Sequence, residues 1–529
     1  MLRAKYAAPG EGTREEVFDR VSQALAQAEA PALRAAWAAT FREAMREGLL
    51  PAGRILAGAG RSPVRCLVNC FVQPLGGPRH PEAGPPLAQA LAQAVTTLRA
   101  GGGVGCDFSA QDDVIGALRA FDATCAKATG RGPRPGALMG VLEIEHPAVD
   151  AFIDAKARAG LTHFNLSVAL GDGFMNRVKQ GEPEARARWH RLVHAAWHHG
   201  EPGVLFIDAI RHDDVLGWRE TLTATNPCAE QPLPPHGSCC LASVDLARCV
   251  VRPLQRGAHL DFEALARLAT VAVRLLDNVI ELTAWPLPEQ AEEARATRRI
   301  GLGFTGLADA LILLSLRYDR ADGRSMARRM VRTLRDAAVR ASVQLAAERG
   351  PYPLFDAARH LAAPAYASRL PAVLRSLIAR HGLRHSHLMS VAPAGSISLA
   401  LADQASSGIE PVWAWTAHRP VRDAQGELHT LGVQDPAWRA WQRMQARSPK
   451  TLPSAFVTAA DISGREQLAM VAAVAPYIDA SISKTVNLHE DTPEPAVGTL
   501  LMQAWQAGLK GLAVYRPNPV MPPLLRRDG

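Results

Sequence analysis

The chain has 529 residues, 48% hydrophobic and 21% charged, with eight cysteines and a formal net charge of +8. A chain of this size buries a large core without disulfide staples, and eight cysteines are too sparse for a secreted disulfide scaffold. The basic residues form no block of five like charges and no basic–aromatic interleaving, so no nucleic-acid partner is expected. No apolar run approaches the roughly 18 residues that span a bilayer, and the start "MLRAKYAAPGEGTREE" has no apolar signal core. A cytoplasmic chain with reduced thiols and no membrane contact is the expectation.

In chain order, Thr13 with Glu16 forms a capping box, and an Ala-rich helical pattern follows, with a break near Pro31. Pro51 and Gly53 end it, giving a helical N-terminal layer over 1–55. "GGPRHPEAGPP" (76–86) reads as a loop, and "LAQALAQAVTTLRA" returns to helix before "GGGVG" (101–105). Short apolar runs at 137–144, 164–170, 203–208 and 386–393 read as buried strands, and helical patterns cover 258–298 and 322–349. This alternation predicts an α/β fold with a largely parallel sheet over 56–515. The Pro-rich end, 516–529, reads as an irregular tail.

Three cysteines, Cys228, Cys239 and Cys240, fall within "ATNPCAEQPLPPHGSCCLAS" (224–243). Zinc is disfavoured: Cys66 and Cys70 are spaced C-x3-C, Cys239 and Cys240 are adjacent, and no second His completes a familiar set, so no metal ligands are assigned. Cys106, Cys125 and Cys249 lie among apolar or helical neighbours and read as small buried hydrophobes; Cys66 and Cys240 stay open. Pro227 forbids a helix before Cys228, and Pro232, Pro234 and Pro235 forbid one after it, so Asn226–Glu230 is a loop. It carries an amide, a thiol and a carboxylate at alternate positions, a set that can bind, attack and accept a proton at one small ligand. An ordinary surface loop is the alternative for these five residues alone. Further on, Pro393, Ala394, Gly395, Ser396 and Ile397 join an apolar run to a helix start, where free N–H groups favour an anion. A plain Gly-containing turn fits that stretch as well.

N-x-C-x-E followed by "GSC" resembles the finger loop of ribonucleotide reductases. Collinear blocks resemble the adenosylcobalamin-dependent, class II members: "PAGRILAGAG" (51–60), "LVNCFVQPL" (67–75), "GGGVGCDFSA" (101–110), "RRIGLGFTGLADAL" (298–311), "SVAPAGSISLA" (390–400), "SSGIEPVWA" (406–414) and "AWQAGLKGLAVYRPNP" (504–519). The resemblance implies a ten-stranded α/β barrel of two antiparallel five-stranded parallel halves, with the Cys-bearing finger at its centre. It implies reduction of ribonucleotides, diphosphates before triphosphates, by thiyl-radical chemistry initiated by adenosylcobalamin. Cys228 is then the radical carrier, Glu230 the base for the 3′-hydroxyl and Asn226 a sugar ligand. Cys70 protonates the departing 2′-hydroxyl and pairs with Cys239 as a transient disulfide. Ser62, Asn69, Gly102 and Gly103 are implied on the substrate's sugar side, and 393–397 on its phosphates. The tyrosine pair of class I is missing, Tyr515 standing alone, and the terminal "RRDG" lacks the class III surroundings.

The sequence departs from the family pattern in places. The segment after "GGGVGCDFSA" is short, which puts allosteric control in doubt, and Cys106 and Cys240 replace a usual aromatic residue and a usual Asn. The last cysteine is Cys249, so no C-terminal Cys pair re-reduces the active-site disulfide, and an external, thioredoxin-like dithiol or another chain is expected to do so. The family expectation for assembly is a homodimer. The competing reading is a catalytically impaired paralogue that binds a nucleotide or cobalamin on a retained scaffold.

Overall fold

The computed structural model describes residues 1–129, 136–362, 364–402, 406–422, 428–445, 451–519 and 526–527. Five apolar stretches bounded by turns form one half of the sheet: β2 (Cys70–Val72) after a short β1 (Leu49–Pro51), then β3 (Gly103–Asp107), β4 (Leu138–Glu143), β5 (Phe164–Leu170) and β6 (Gly203–Phe206). Neighbours β2 to β6 pair in parallel, and each crossover carries helix. A finger stem follows, β7 (Ala224–Thr225) and β8 (Pro232–Leu233), paired antiparallel.

The second half begins with β9 (Ser238–Asp245), continues past the ribbon β10 (Val250–Val251) and β11 (His259–Leu260), and reaches β12 (Ile300–Thr305), parallel to β9. Met389 then bridges β12 at Leu302, and Val391 bridges Ile482, both in parallel. A hairpin, β13 (Thr416–Arg422) and β14 (Leu428–Gln434), is inserted before β15 (Thr485–Asn487), which runs parallel to β16 (Gly511–Tyr515). The two halves meet antiparallel at β2/β9 and at β6/β16, which closes the barrel. This is the expected ten-position α/β barrel. β9 and β12 are buried along their whole length, as strands covered on both faces must be.

The other expectations resolve in detail. The capping box at Thr13 and Glu16 forms, and a 3-10 turn over Pro31–Leu33 marks the break. Residues 1–55 are mostly helix, but β1 within them adds an antiparallel strand to β9. The pattern over 258–298 divides into helices Phe262–Leu282 and Pro288–Thr297, because Pro286 and Pro288 cannot continue the first. The 386–393 run is extended and holds its place in the barrel through two isolated bridges and flanking backbone bonds, Ile300 N–H donating to the His387 carbonyl at 3.1 Å and Ala480 N–H to the Met389 carbonyl at 3.1 Å. Of the tail, Arg526–Arg527 form β17 on β13, and 520–525 and 528–529 lie outside the described residues.

Glycines let the finger through. A Cβ on Gly105 of β3 would stand 1.8 Å from the Thr225 carbonyl oxygen, and one on Gly103 would stand 2.9 Å from Pro227 Cγ. On the opposite wall, a Cβ on Gly301 of β12 would stand 2.5 Å from Nε2 of Gln231 in the finger. The barrel interior is filled by backbone as well as by side chains, and only glycine leaves room for that.

Candidate active site

The finger tip is a tight turn closed by Ala229 N–H donating to the Asn226 carbonyl at 3.0 Å, with Pro227 presetting its first corner. Asn226 folds its side chain back, and Oδ1 accepts from Gln231 N at 3.0 Å. Ala229 takes φ 64°, a left-handed conformation that costs an alanine about 1–2 kcal/mol. The turn leaves Cys228 at the tip. Its thiol is accessible from a cavity of about 350 Å³, although the surrounding barrel is deep enough to push its pKa well up.

The flanking groups are buried, Asn226 and Glu230 each at 2% exposure. Asn226 Nδ2 donates to Cys70 Sγ at 3.3 Å, and the Cys70 thiol approaches Glu230 Oε1 at 3.9 Å. Glu230 Oε2 is buried without a partner, so one carboxylate oxygen is free for a ligand. Burial raises the Glu230 pKa to about 7, which poises it to exchange a proton near neutrality and makes it a base above it. Burial, and next the Glu230 carboxylate, hold the Cys70 thiol well above its ordinary range.

Cys70 and Cys239 are direct register partners across the antiparallel β2/β9 junction. Residues opposite each other in such a ladder have Cα atoms about 4.5–5.5 Å apart, inside the span a disulfide needs. Both thiols are free and 1% exposed. Cys240, next along β9, points elsewhere and donates to the Leu276 carbonyl at 3.6 Å; Cys66 likewise donates to the Val68 carbonyl at 3.3 Å. Neither joins the cluster. Among the described residues, no three His, Cys, Asp or Glu side chains converge to hold a metal.

The remaining expected residues divide. Asn69 is at the site, with Nδ2 3.5 Å from Cys70 Sγ. Gly103 lies beside Cys70 in the ladder, under Pro227. Gly102 packs against Phe71 and Thr97, where a Cβ would meet the Phe71 ring at 2.7 Å. Ser62 is exposed on a bend of the chain. Ala394 caps the helix Gly395–Leu401 and donates its N–H to Ser407 Oγ at 2.8 Å. The N–H groups of Gly395, Ser396 and Ile397 thus form the first turn, where helices have no internal acceptors. Pro393 lines both the Cys228 cavity and a neighbouring one of about 670 Å³.

Two features are invisible to sequence pattern. Asn165 on β5 donates Nδ2 to the Pro227 carbonyl at 2.8 Å, tying the first half-barrel to the residue before Cys228. Lys484, wholly buried in the cavity wall, donates to Glu410 Oε2 at 2.5 Å and Gln467 Oε1 at 3.1 Å.

The family model for the ribonucleotide reductase barrel domain matches residues 68–185 and 181–515. A vitamin B12-dependent ribonucleoside-diphosphate reductase of Mycobacterium tuberculosis (strain CDC 1551 / Oshkosh) is 34% identical, covering 98% of this chain and 77% of the relative. A protein of the same name from Thermoplasma acidophilum is 28% identical over 85% of this chain and 61% of its own. The ribonucleoside-diphosphate reductase large subunit of Caenorhabditis elegans is 26% identical over 74% and 58%.

Proposed function

The chain belongs to the ribonucleotide reductase family, in its vitamin B12-dependent branch, and from that premise we propose that it converts ribonucleoside diphosphates to 2′-deoxyribonucleotides through a Cys228 thiyl radical and a Cys70–Cys239 redox pair. The observation that carries this reading is the cross-strand pairing of Cys70 with Cys239 beside the Asn226–Cys228–Glu230 turn.

The residues present suit the cofactor. The larger cavity presents apolar and aromatic faces (Leu399, Val412, Trp413) and amide or hydroxyl groups (Ser407, Gln434, Asn487), a mixture matching a flat macrocycle with an amide rim. It shares Pro393, Ser483, Thr485 and Tyr515 with the cavity of Cys228. Adenosylcobalamin, when bound there, supplies a cobalt–carbon bond that cleaves homolytically.

The chain's own residues do the rest. The Cys228 thiyl takes the 3′-hydrogen of the ribose, and the free oxygen of Glu230 accepts the 3′-hydroxyl proton. Asn226 orients the sugar. Cys70, whose thiol is held protonated, gives its proton to the 2′-hydroxyl, which leaves as water. Cys70 and Cys239 then become a disulfide, delivering two electrons, and an external dithiol restores them. The N–H groups of Gly395–Ile397 receive the substrate phosphates, with Asn69 and Gly103 on the sugar side. The barrel excludes water and stray thiols from the radical. Among the described residues no helix is long and apolar enough to cross a membrane.

Purified protein mixed with adenosylcobalamin, a ribonucleoside diphosphate and dithiothreitol tests this. A cobalt-coupled thiyl signal by electron paramagnetic resonance, lost in Cys228→Ser, is expected together with deoxynucleotide. Neither product nor cofactor cleavage would leave the scaffold-only alternative standing.

A further inference from the structure

The cavity that reaches Cys228 and the larger cavity beside it meet at a passage with one charged wall. Besides Cys228 and its finger neighbours, the smaller cavity is lined from β4, β5, β6, β15 and β16, and Asn226, Glu230, Cys70 and Cys239 take no part in it. It therefore reaches the thiol without passing the sugar-binding flanks. Ser483, Thr485 and Tyr515 line both cavities, Lys484 the smaller and Glu410 the larger. The stretch "SSGIEP" (406–411) presents that glutamate. Gly408, at φ 56°, turns the chain, and Glu410 N–H closes the turn on the Ser407 carbonyl at 2.9 Å. Pro411 then disfavours helix at Glu410. Ile409 is buried, while the Glu410 side chain keeps 26% of its surface exposed.

The carboxylate is fixed from behind. Oε2 accepts from Lys484 Nζ at 2.5 Å, and Oε1 accepts from Thr485 N–H at 3.1 Å. The Lys484 side chain is fully buried, and its ammonium also donates to Gln467 Oε1 at 3.1 Å and to the Thr485 carbonyl at 2.7 Å. Gln467 is held in turn, donating to the Ile462 and Asn487 carbonyls at 3.3 and 2.8 Å. An ammonium has three N–H donors, and here all three are engaged, so Lys484 has none for a ligand. A carboxylate has about four acceptor positions, and two are taken. The open ones belong to a side chain that lines the larger cavity. The wall thus presents a rigid acceptor pair whose charge Lys484 already balances. An uncharged ligand with hydroxyl or amide donors suits it, and a phosphate finds no free cation there.

On the reading that adenosylcobalamin occupies the larger cavity, we propose that Glu410 binds the ribose hydroxyls of its 5′-deoxyadenosyl group, with Lys484 as the residue that positions the carboxylate. The group carried on cobalt must face the thiol it activates, so the passage toward Cys228 is the nucleoside's place. Its ribose brings two adjacent hydroxyl donors, and an acidic side chain on ribose hydroxyls is a recurrent solution in nucleotide sites. Hydrogen bonds to an ionised acceptor are the strong ones, more so in a site that excludes water. Tyr515 stands at the same passage, its ring centroid 6.2 Å from that of Trp413, and supplies an aromatic wall for the base. The amides of the macrocycle are the competing donors, and a Glu410 engaged by them is indifferent to the ribose.

The test reads binding rather than turnover. Dissociation constants of adenosylcobalamin and of its 2′,3′-dideoxyadenosyl analogue, which keeps the base, the macrocycle and its amides, are measured in the dark by equilibrium dialysis against the full chain. Wild type is expected to bind the analogue at least about tenfold more weakly, the loss of one hydrogen bond to a charged group. Glu410→Gln combined with Lys484→Met removes both charges together, so neither is stranded in the interior. That double variant is expected to bind the two cofactors equally. Equal affinities in wild type overturn the proposal, and no variant has to fold for that result. A preference that the double variant keeps also overturns it, because the hydroxyls then bind elsewhere. Wild type that binds neither cobalamin fails the cofactor reading itself, a different result from equal affinities.

Discussion

Glu230 concentrates the site's chemistry in one carboxyl. Burial raises its pKa to about 7, so it is a carboxylate, and a base, only above neutrality. The kcat of wild type is expected to rise through pH 7, and Glu230→Gln to remove that limb while lowering kcat by about 10²–10⁴. The same raised pKa has a stability sign. The folded state binds the extra proton, so its stabilising contribution is complete below the unfolded value of 4.5 and is lost as pH climbs through 7. Glu230→Gln is therefore expected to be the more stable protein at pH 8, by about 3 kcal/mol, and equal to wild type near pH 4, in urea titrations. Asn226 carries a different lesson. Both of its polar atoms are engaged, on Gln231 N and on Cys70 Sγ, so it shapes the turn and aligns the thiol before any substrate arrives.

The finger loop works because elements on both walls make way for it. Gly105→Ala would drive a methyl group into the Thr225 carbonyl, and nothing rigid there can yield. A loss of about 1–3 kcal/mol is expected, with activity lost because the turn shifts, read by thermal melt and turnover. Ala229→Gly relieves the left-handed strain at φ 64° and is expected to stabilise by up to about 1 kcal/mol. Much of this was legible in the sequence. "FNLSVAL" is a strand over its whole length because an apolar run between turns has no alternative as short, and the prolines around Cys228 dictate a loop. The partner of Cys239 was reachable only through family resemblance, since no local spacing points from β9 to β2. The Lys484–Glu410 pair and the Asn165 tie join residues distant in sequence, and a pattern of one residue type per position does not encode them.

At the scale of the molecule, the N-terminal helices are clamped to the barrel by buried charge. Glu29 accepts from Arg274 at 2.9 Å, Asn278 at 2.8 Å and Arg349 at 2.5 Å, and Arg349 also binds Asp277 at 2.8 Å. Burial alone would raise the Glu29 pKa, but these donors hold it down to about 2. Its stabilising contribution is present above the unfolded value and lost as pH falls from 4.5 toward 2. Glu29→Gln, which leaves two buried guanidinium groups under-compensated, is expected to cost about 3 kcal/mol at pH 7 and much less at pH 2–3, by denaturant unfolding. The closed barrel ties this frame to the chemistry, because β9 carries Cys239, pairs with β1 from the N-terminal part, and meets Cys70 at the junction of the two halves. The most direct measurement of the central claim is peptide mapping of pre-reduced protein after one turnover with adenosylcobalamin and a ribonucleoside diphosphate, under non-reducing conditions. A Cys70–Cys239 disulfide formed in proportion to deoxynucleotide is predicted; product made with Cys70 and Cys239 still free, or with another cysteine pair oxidised, would contradict it.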